Sequence, residues 1–352
     1  MGLKILHSAD WHMDSPFAGF TPEQRDYLKG EQKLLPGKIA DLCRREKCDL
    51  VLLAGDIFDG SYTRESAAIV RTALERCRVP VLITPGNHDP LGPGSPWQEE
   101  QWPKNVYVFR EGLHSAVLRE LDCRVYGAGY TGMDCPPLLE NVRAAHPQKY
   151  LLGLLHGDPV SLRSPYCPVT VGQVRDAGLQ YLALGHVHKA GFFRAGNRLC
   201  GWPGAPMGRG FDETREKGVY IVELGEETSP RFVELDTPRF YELEADMGRE
   251  DPEELFPAVG DRHFYRLTLT GSGGEPAGQI REKLARFPNL EIIDRRHAPS
   301  DPWEKLEADT LEGTYLRLLQ EKLQEADQEE QELVLLAAEI SKMILEGKEV
   351  AL

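Results

Sequence analysis

The sequence is poor in cysteine and has no paired cysteine motif. Seven cysteines are scattered over 352 residues, and no two of them form a C-x-x-C pair. An odd and dispersed set excludes a disulfide framework and is typical of reduced thiols in a cytoplasm. The cysteines lie at positions 43, 48, 77, 123, 135, 167 and 200.

Long hydrophobic runs are also missing. The first residues, MGLKILHSADWH, contain no apolar stretch long enough for a signal peptide, and position 6 is Leu where the myristoylation pattern needs Ser or Thr. No run reaches the roughly 20 apolar residues that a membrane-spanning helix needs. We therefore expect a cytoplasmic protein without a membrane partner.

The sequence also lacks a strong basic stripe. The formal net charge of −15 is unevenly distributed: residues 1–200 carry 23 Lys and Arg against 22 Asp and Glu, whereas residues 201–352 carry 18 against 34. The acidity therefore belongs to the second part of the chain. The nearly neutral first part does not exclude a polyanionic substrate, but charge alone gives no argument for DNA.

The first 200 residues alternate short apolar runs with helical patterns. The predicted strands Leu3–Ala9, Asp49–Ala54 and Val79–Thr84 are separated by the predicted helices Glu31–Glu46 and Glu65–Cys77. This βαβαβ order predicts an α/β fold with parallel strands covered by helices. Further predicted strands, enough for a second sheet, are Val106–Phe109, Cys123–Gly127, Tyr150–Leu155, Tyr181–Leu184, Gly191–Arg194 and Val219–Glu223.

The pattern changes near residue 236, so we predict domains at 1–236, 237–300 and 301–352. The middle segment alternates strand and helix and predicts a small α/β domain, with elements at Phe240–Glu244, Pro252–Val259, Tyr265–Leu269, Ala277–Phe287 and Leu290–Asp294. The last segment is acidic and helical over about Leu306–Gly347. Its final helix has one apolar face, formed by Leu333, Leu336, Ala337, Ile340 and Ile344.

Five predicted strands end in short polar motifs. Carboxyl ends of parallel strands meet at one edge of a sheet, so we expect the motifs to converge there. In D-x-H and H-x-H, an extended backbone would place alternate side chains on the same face. The motifs are D-x-H at Asp10–His12, G-D-x-x-D at Gly55–Asp59, G-N-H-D at Gly86–Asp89, H-G-D at His156–Asp158 and G-H-x-H at Gly185–His188.

The converging side chains have the chemistry of metal ligands. They are carboxylates, imidazoles and one amide, a set that favours Mn, Fe, Zn or Co over Ca or Mg alone. Seven ligands are too many for one ion and suit two divalent ions that share a bridging carboxylate. The predicted ligands are Asp10, His12, Asp56, Asn87, His156, His186 and His188.

The five motifs, in this order, resemble those of the calcineurin-like metallophosphoesterases over about residues 3–225. Two further stretches, HSADWHMDSPFAGF at 7–20 and FDETREKG at 211–218, resemble the SbcD-type DNA repair exonucleases, in particular a YhaO-like bacterial branch. The resemblance implies two mixed sheets packed face to face with flanking helices, and a capping domain at 239–295.

The resemblance also implies a role for each ligand. One ion would be held by Asp10, His12, Asp56 and His188, and the other by Asp56, Asn87, His156 and His186. Asp56 would bridge the two ions. His88 would not be a ligand but would face the phosphate and protonate, or hydrogen-bond, the leaving oxygen.

Three more residues are placed near the reaction. Asp89 is interpreted as a catalytic residue that orients His88 from behind, with a structural role in the turn as the alternative. Asp59 stands where some archaeal relatives have a second histidine, so it either supports a metal ligand or positions substrate. Arg209, between two glycines, is interpreted as a contact to a phosphate backbone.

We therefore predict a DNA phosphodiesterase of DNA repair with two divalent ions, Mn²⁺ preferred. It would be an exonuclease, with endonuclease activity as a second mode, in which a metal-bridging hydroxide attacks phosphorus and His88 assists the leaving group. Two other classes stay open: a small-molecule phosphodiesterase or nucleotide pyrophosphohydrolase, and a non-catalytic subunit that tethers DNA for an ATPase complex.

The resemblance also implies partners. SbcD-type nucleases act with SMC-like ABC-type ATPases of the SbcC or YhaN kind, so DNA and such an ATPase are the expected partners. The amphipathic last helix is suited to docking on a coiled coil. Relatives dimerise through the phosphoesterase domain, which makes a homodimer a further expectation.

Overall fold

The elements follow the predicted alternation of strands and helices. The computed structural model describes residues 2–214, 216–225, 228–257, 262–296, 303 and 306–345. In chain order the elements up to residue 234 are β1 (Leu3–Ser8), α1 (Pro22–Glu46), β2 (Leu50–Leu53), α2 (Arg64–Cys77), β3 (Val81–Ile83), α3 (Pro96–Glu99), β4 (Val106–Val108), β5 (His114–Leu118), β6 (Cys123–Gly127), β7 (Tyr150–His156), α4 (Val171–Ala177), β8 (Tyr181–Gly185), β9 (Gly191–Ala195), β10 (Arg198–Trp202), β11 (Gly218–Leu224) and β12 (Ser229–Glu234). They are followed by β13 (Phe240–Asp246), β14 (Phe264–Thr270), α5 (Ala277–Lys283), β15 (Leu290–Asp294), α6 (Leu311–Glu325) and α7 (Gln328–Leu345).

Strands β1 to β12 form two six-stranded mixed sheets. The first has the order β12-β11-β1-β2-β3-β4, and β1 to β4 run parallel while β11 and β12 pair antiparallel. The second has the order β5-β6-β7-β8-β10-β9, with β6, β7, β8 and β10 parallel. The predicted fold class is confirmed.

A buried apolar layer lies between the two sheets. Ile5 and Leu52 of the first sheet belong to the same buried cluster as Leu154 and Leu199 of the second. The outer face of the first sheet packs on α1 and α2, and that of the second packs on α4. Because the parallel strands are covered on both faces, their sequences are continuous apolar runs.

His7 on β1 is a polar group within this layer. It is fully buried, with Nδ1 2.7 Å from the Tyr181 hydroxyl and Nε2 3.0 Å from the carbonyl oxygen of Leu184. Both partners lie on β8, so His7 joins the two sheets by hydrogen bonds. Burial lowers the pKa of His7 to about 3, and the imidazole is therefore neutral near pH 7.

Some boundaries differ from the sequence prediction, and the reasons are local. Helix α1 begins at Pro22 rather than Glu31, because Thr21 and Gln24 form a reciprocal cap and Pro22 is favoured in the first turn. Strands β5, β10 and β12 were not predicted. Strands β5 and β12 lie at sheet edges with partly exposed side chains, so they lack a clear apolar run. Strand β10 lies inside the second sheet, but Arg198 and Gly201 interrupt its apolar run.

Strands β13, β14 and β15 form a separate three-stranded sheet. The chain divides into two compact units, Met1–Glu242 with Val259–Tyr265, and Leu243–Ala258 with Arg266–Leu352. The predicted domain boundaries at 236 and 300 stay predictions, and residue 300 lies outside the described residues. The predicted helix at 252–259 is a short 3₁₀ turn over Pro252–Leu255, and residues 258 and 259 are not described.

Helices α6 and α7 belong to the second unit. The Tyr315 hydroxyl on α6 lies 2.8 Å from the Ser341 hydroxyl on α7, and α7 buries Val334 and Ala338. Residues 346 and 347 of the predicted helical segment fall outside the described residues. Among the helices that the structure describes, none has both the length and the apolar composition needed to cross a membrane.

We expect His7 to make the stability of the protein depend on pH. The pKa of this imidazole is near 6.5 when unfolded and about 3 when folded, so below pH 6.5 the unfolded chain binds one more proton. The free energy of unfolding then falls as the pH falls, by about 2 kcal/mol between pH 7 and pH 5. Urea unfolding with a chelator present measures this loss.

A His7→Gln variant has no titrating group at this position, so it should lose about 2 kcal/mol less than the wild type over the same pH range. The exposed His146→Gln variant is the matched control and should behave like the wild type. Equal losses in His7→Gln and the wild type would show that His7 does not carry the effect.

Candidate metal centre

The polar motifs lie at the carboxyl ends of parallel strands in both sheets. Asp10 follows β1, Asp56 follows β2 and Asn87 follows β3, and these strands are neighbours in the first sheet. His156 is the last residue of β7 and His186 follows β8, and these are neighbours in the second sheet. The polar residues at the strand ends of the two sheets therefore lie at one site.

Donor atoms of the predicted ligands form two overlapping groups. Asp10, His12 and His188 form one group and Asp10, Asp56 and His156 form another, and within each group all donor atoms lie within 4.8 Å of one another. Nε2 of His12 is 3.2 Å from Nε2 of His188. Nε2 of His156 is 3.3 Å from Oδ2 of Asp56.

Asn87 and His186 lie beside the second group. Oδ1 of Asn87 is 2.9 Å from Nε2 of His156. The ring centroid of His186 is 5.3 Å from that of His156, and its backbone amide donates to Oδ1 of Asp10 over 2.9 Å. The structure thus brings all seven predicted ligands together, and their role as ligands stays a prediction.

The residues present fit a cation. Asp10 is buried, and among the described residues its Oδ2 has no hydrogen-bond partner. A buried carboxylate oxygen without a partner is costly, whereas a divalent cation satisfies it directly. The donor set is carboxylate and imidazole, which suits first-row transition metals.

Two imidazoles present nitrogens to the same point. Nδ1 of His12 lies 3.2 Å from a carboxylate oxygen of Asp59, and Nδ1 of His188 lies 2.9 Å from one of Glu213. When each neutral ring donates its proton from Nδ1, the Nε2 lone pairs face each other over 3.2 Å. Facing lone pairs repel unless a cation or a proton lies between them, so this position suits a metal ion.

The ligand-bearing backbone is left-handed rather than extended, which corrects the sequence expectation. The φ angles are 54° at Asp10, 47° at His12, 52° at Asp56 and 90° at His186. The strands end before these residues, so their side chains converge because the chain turns sharply and not because strand residues alternate. Such conformations cost energy in residues other than glycine and persist where the surrounding structure enforces them.

Two glycines of the motifs are required by close packing. A Cβ at Gly86 would collide with the Asp56 carboxylate. A Cβ at Gly55 would meet the His156 ring, and Gly55 also has a φ of +87°. The glycine of each motif therefore lets the neighbouring backbone approach the ligands of another strand.

Charge is balanced between Asp56 and His156. Burial alone would raise the pKa of Asp56 and lower that of His156, but their attraction over 3.3 Å reverses both effects. The pKa of His156 rises to about 9, and that of Asp56 lies well below its usual range. A metal ligand must be a neutral imidazole, so metal binding here would release the proton of His156.

A comparison with known families agrees with this geometry. Residues 3–190, more than half of the chain, match the family model described as calcineurin-like phosphoesterase. The chain belongs to this family. As a phosphoesterase of a family that uses divalent metals, it is a metal-dependent hydrolase.

Curated relatives confirm the resemblance to SbcD-type and YhaO-like proteins. The uncharacterized metallophosphoesterase YhaO of Bacillus subtilis is 32% identical over 243 residues, which are 63% of this chain and 57% of YhaO. The SbcD subunit of the nuclease SbcCD from Staphylococcus epidermidis is 30% identical over 76% of this chain and 79% of that relative. This phosphoesterase thus spans little more than half the length of YhaO. Among solved structures, a dimetal phosphatase from Danio rerio is 15% identical over 66% of this chain and 97% of that chain, with a TM-score of 0.45.

His88 lies at the edge of the metal centre of the phosphoesterase. Its ring is half exposed and lies edge-on to that of His12, with centroids 4.8 Å apart. Its ring also belongs to a group of donor atoms with His12 and Asp56 within 4.8 Å. Oδ1 of Asp59 is 3.0 Å from Nδ1 of His88, and this contact raises the pKa of His88.

The carboxylate that contacts the His88 ring is therefore that of Asp59 and not that of Asp89. Asp89 is buried and accepts hydrogen bonds from the backbone amides of Ile57, Phe58 and Gly86. Its carboxylate thus holds the turns after β2 and β3, which is the structural alternative considered for it. Burial and the nearby Asp56 raise the pKa of Asp89 to about 7, while the three amides favour its charged form.

Sequence reasoning missed Glu213. This buried residue accepts from His188 Nδ1 over 2.9 Å and from Arg209 over 3.1 Å, and Lys217 Nζ lies 3.7 Å away. Burial alone would raise the pKa of Glu213, but His188 and Arg209 lower it to about 2. The only signal was its place in FDETREKG, the stretch that carries the resemblance.

Arg209 lies beside the same carboxylate. Its Nη1 is 3.8 Å from Oδ2 of Asp59, and its guanidinium is partly exposed. Arg209 thus neutralises two acidic side chains next to the proposed ligands. Its predicted contact to a phosphate backbone stays a prediction.

We expect Glu213 to increase metal affinity by holding His188 in the binding orientation. In Glu213→Ala the His188 Nδ1 loses its acceptor, and the affinity for Mn²⁺ should fall by roughly 10- to 100-fold. Equilibrium dialysis with Mn²⁺ measures this directly. Glu213→Gln keeps an acceptor oxygen and should recover part of the loss.

The matched control is Glu216→Ala, because Glu216 is exposed on the same segment. It should bind Mn²⁺ like the wild type. Circular dichroism checks that the variants fold, since Lys217 is buried and loses its ion pair in Glu213→Ala. Unchanged affinity in a folded Glu213→Ala protein would remove the assigned role.

Proposed function

We propose that this phosphoesterase is a two-metal phosphodiesterase that cleaves DNA in DNA repair. It acts as an exonuclease, with endonuclease activity as a second mode, and it uses Mn²⁺ in the cytoplasm. The observation that carries the proposal is the unpartnered, buried Oδ2 of Asp10, within the described residues, where the two donor groups overlap. The similarity to a protein named as part of the nuclease SbcCD supports DNA as the substrate class.

Seven side chains would hold the ions. One ion would lie among Asp10, His12, Asp56 and His188, and the other among Asp56, Asn87, His156 and His186. Two divalent ions, when bound, supply an acidified water and neutralise charge on the phosphoryl oxygens. Asp56 is suited to serve both because its Oδ2 lies 3.8 Å from Nε2 of His12 and 3.3 Å from Nε2 of His156.

His88 is suited to protonate the leaving sugar oxygen. Its ring is 41% exposed, so a substrate can reach it from solvent. Asp59 accepts from Nδ1 over 3.0 Å and raises the pKa of His88, which favours the protonated ring that a proton donor needs. The sugar oxygen would then depart as an alcohol and leave His88 neutral.

Asp59 would orient two residues at once. Its Oδ1 lies 3.2 Å from Nδ1 of His12 and 3.0 Å from Nδ1 of His88, and its Oδ2 accepts from the Ser15 hydroxyl over 2.9 Å. Both roles considered for Asp59 follow from this position. It supports a metal ligand, and it sets the direction of the group that would meet the substrate.

Arg209 is our proposed contact for a DNA phosphate. A guanidinium has five N–H donors, and the contacts to Glu213 use Nε and Nη2. Nη1 lies 3.8 Å from Asp59, beyond hydrogen-bond distance. The partly exposed side chain can therefore reach a phosphate while it stays attached to Glu213.

An SMC-like ATPase is the proposed protein partner, bound through α6 and α7, and a homodimer belongs to the same proposal. The predicted apolar face of α7 is only partly buried, because Leu333, Leu336 and Ile344 are exposed. A helix with an exposed apolar row in an acidic segment is suited to a partner helix with basic flanks.

The first test is Mn²⁺-dependent degradation of end-labelled linear duplex DNA. We expect wild-type protein to degrade it. His88→Ala should cut at least 100-fold more slowly while it still binds Mn²⁺, because it loses only the proton donor. Asp56→Ala should lose both cleavage and metal, because this carboxylate lies close to ligands of both proposed ions.

His146→Ala is the matched control, since His146 is an exposed histidine outside the five motifs. Equal DNA turnover by His88→Ala and wild type would overturn the role of His88. If the wild type holds two ions but leaves DNA intact and hydrolyses cyclic nucleotides or dinucleotides, the protein is a small-molecule phosphodiesterase. If it binds DNA and the ATPase but cuts no phosphodiester, it is the tethering subunit.

We expect Leu333→Ser combined with Leu336→Ser to prevent copurification of the full chain with a coexpressed SMC-like ATPase. The substitutions remove exposed apolar area from α7 without touching its buried residues. Val160→Ser with Leu162→Ser, at equally exposed apolar positions in the first unit, is the control. Retention of the ATPase by the α7 variant would refute docking through this face.

A further inference from the structure

Two thiols lie together beside the metal centre. Cys135 is in the segment after β6 and Cys167 is in the segment after β7, and a parallel β-bridge joins Cys135 to Tyr166, the neighbour of Cys167. The backbone fixes them as neighbours, because the amide of Cys167 donates to the carbonyl of Cys135 over 2.7 Å. The amide of Cys135 in turn donates to the carbonyl of Pro165 over 2.9 Å.

One of the two thiols can be reached from solvent. Cys135 is half-buried, and its neighbours Asp134 and Pro136 are exposed, whereas Cys167 is fully buried. The hydrogen bond from Cys167 lowers the pKa of Cys135, which favours the reactive thiolate. The remaining cysteines are buried, at positions 43, 48, 77, 123 and 200.

Cys167 is also in contact with segments that carry proposed ligands. A Cβ at Gly157, the residue after His156, would meet the carbonyl oxygen of Cys167 at 2.6 Å. The adjacent Tyr166 has its ring centroid 4.5 Å from that of His186. Cys167 itself has a left-handed φ of 45°, a strained conformation for a residue other than glycine.

We propose that Cys135 and Cys167 form a reversible disulfide in response to peroxide, and that this modification changes metal binding at the neighbouring centre. The paired backbones hold the two residues side by side, which is the placement that a disulfide between neighbouring segments needs. Closing the bond would bring the sulfur atoms to about 2.05 Å. The shift at Cys167 would be transmitted to Gly157, which packs on it, and through the adjacent Tyr166 to His186.

The chemistry balances with hydrogen peroxide as the oxidant. The Cys135 thiolate attacks one peroxide oxygen, which gives a sulfenic acid and releases hydroxide that takes up a proton. The Cys167 thiol then attacks that sulfur, the S–S bond forms and a second water leaves. Two thiols are oxidised and one peroxide is reduced, and a dithiol reductant reverses the reaction.

The test counts thiols in the full-length protein. After peroxide treatment and removal of the oxidant, denatured wild-type protein should show two fewer maleimide-reactive thiols, and dithiothreitol should restore them. Peptide mapping should find Cys135 joined to Cys167. Cys135→Ser should lose none and Cys167→Ser at most one, the Cys135 thiol left as an unresolved sulfenic acid, whereas Cys123→Ser, a buried cysteine outside the pair, should lose two like the wild type.

Metal binding provides the second measurement and does not depend on any enzymatic activity. Oxidised wild-type protein should bind Mn²⁺ several-fold more weakly than the reduced form in equilibrium dialysis, and Cys135→Ser should bind equally before and after treatment. A crosslink within the buried thiol group of Cys43, Cys48 and Cys77, or no crosslink, would overturn the proposal. Equal Mn²⁺ affinity of the two wild-type forms would overturn the link to the metal centre.

Discussion

The buried carboxylates of Asp10 and Asp56 impose the constraint on which the rest of the metal centre depends. Both are almost completely removed from water, and among the described residues one oxygen of Asp10 has no partner. Burying negative charge without compensation is costly, so positive charge must be supplied at this point. The proton on His156 supplies part of it without metal, and divalent ions would supply it when bound. The surrounding histidines can carry a proton or bind a metal ion, and either supplies this positive charge.

The packing of the strands holds the ligand-bearing turns in a fixed conformation. Parallel strands covered on both faces end at one edge, and the chain then turns through left-handed conformations at Asp10, Asp56 and His186. These turns are strained, but Gly55 and Gly86 allow neighbouring backbones to pack tightly against the ligands. The large buried core therefore offsets a local cost at the site, as is common where function demands a fixed geometry.

Residues behind the ligands connect metal binding with the proposed chemistry. Asp59 contacts both His12 and His88, so one carboxylate holds a proposed ligand and the proposed proton donor. Glu213 holds His188 and is itself balanced by Arg209 and a buried lysine. The segment that carries Cys167 contacts the centre through the rings of Tyr166 and His186. The charge and the orientation of the proposed ligands therefore depend on several neighbouring residues.

Sequence patterns alone determined the α/β class, the parallel strands and the polar groups at their ends. Continuous apolar runs such as Leu50–Leu53 and the motif glycines are local signals of buried strands and tight turns. Only the tertiary structure decided that Asp59 rather than Asp89 contacts His88, that Glu213 supports His188, and that Cys135 meets Cys167. The reason is physical: each of these contacts joins residues far apart in sequence. These contacts depend on how the two sheets pack together, and the periodicity of the sequence does not predict that packing.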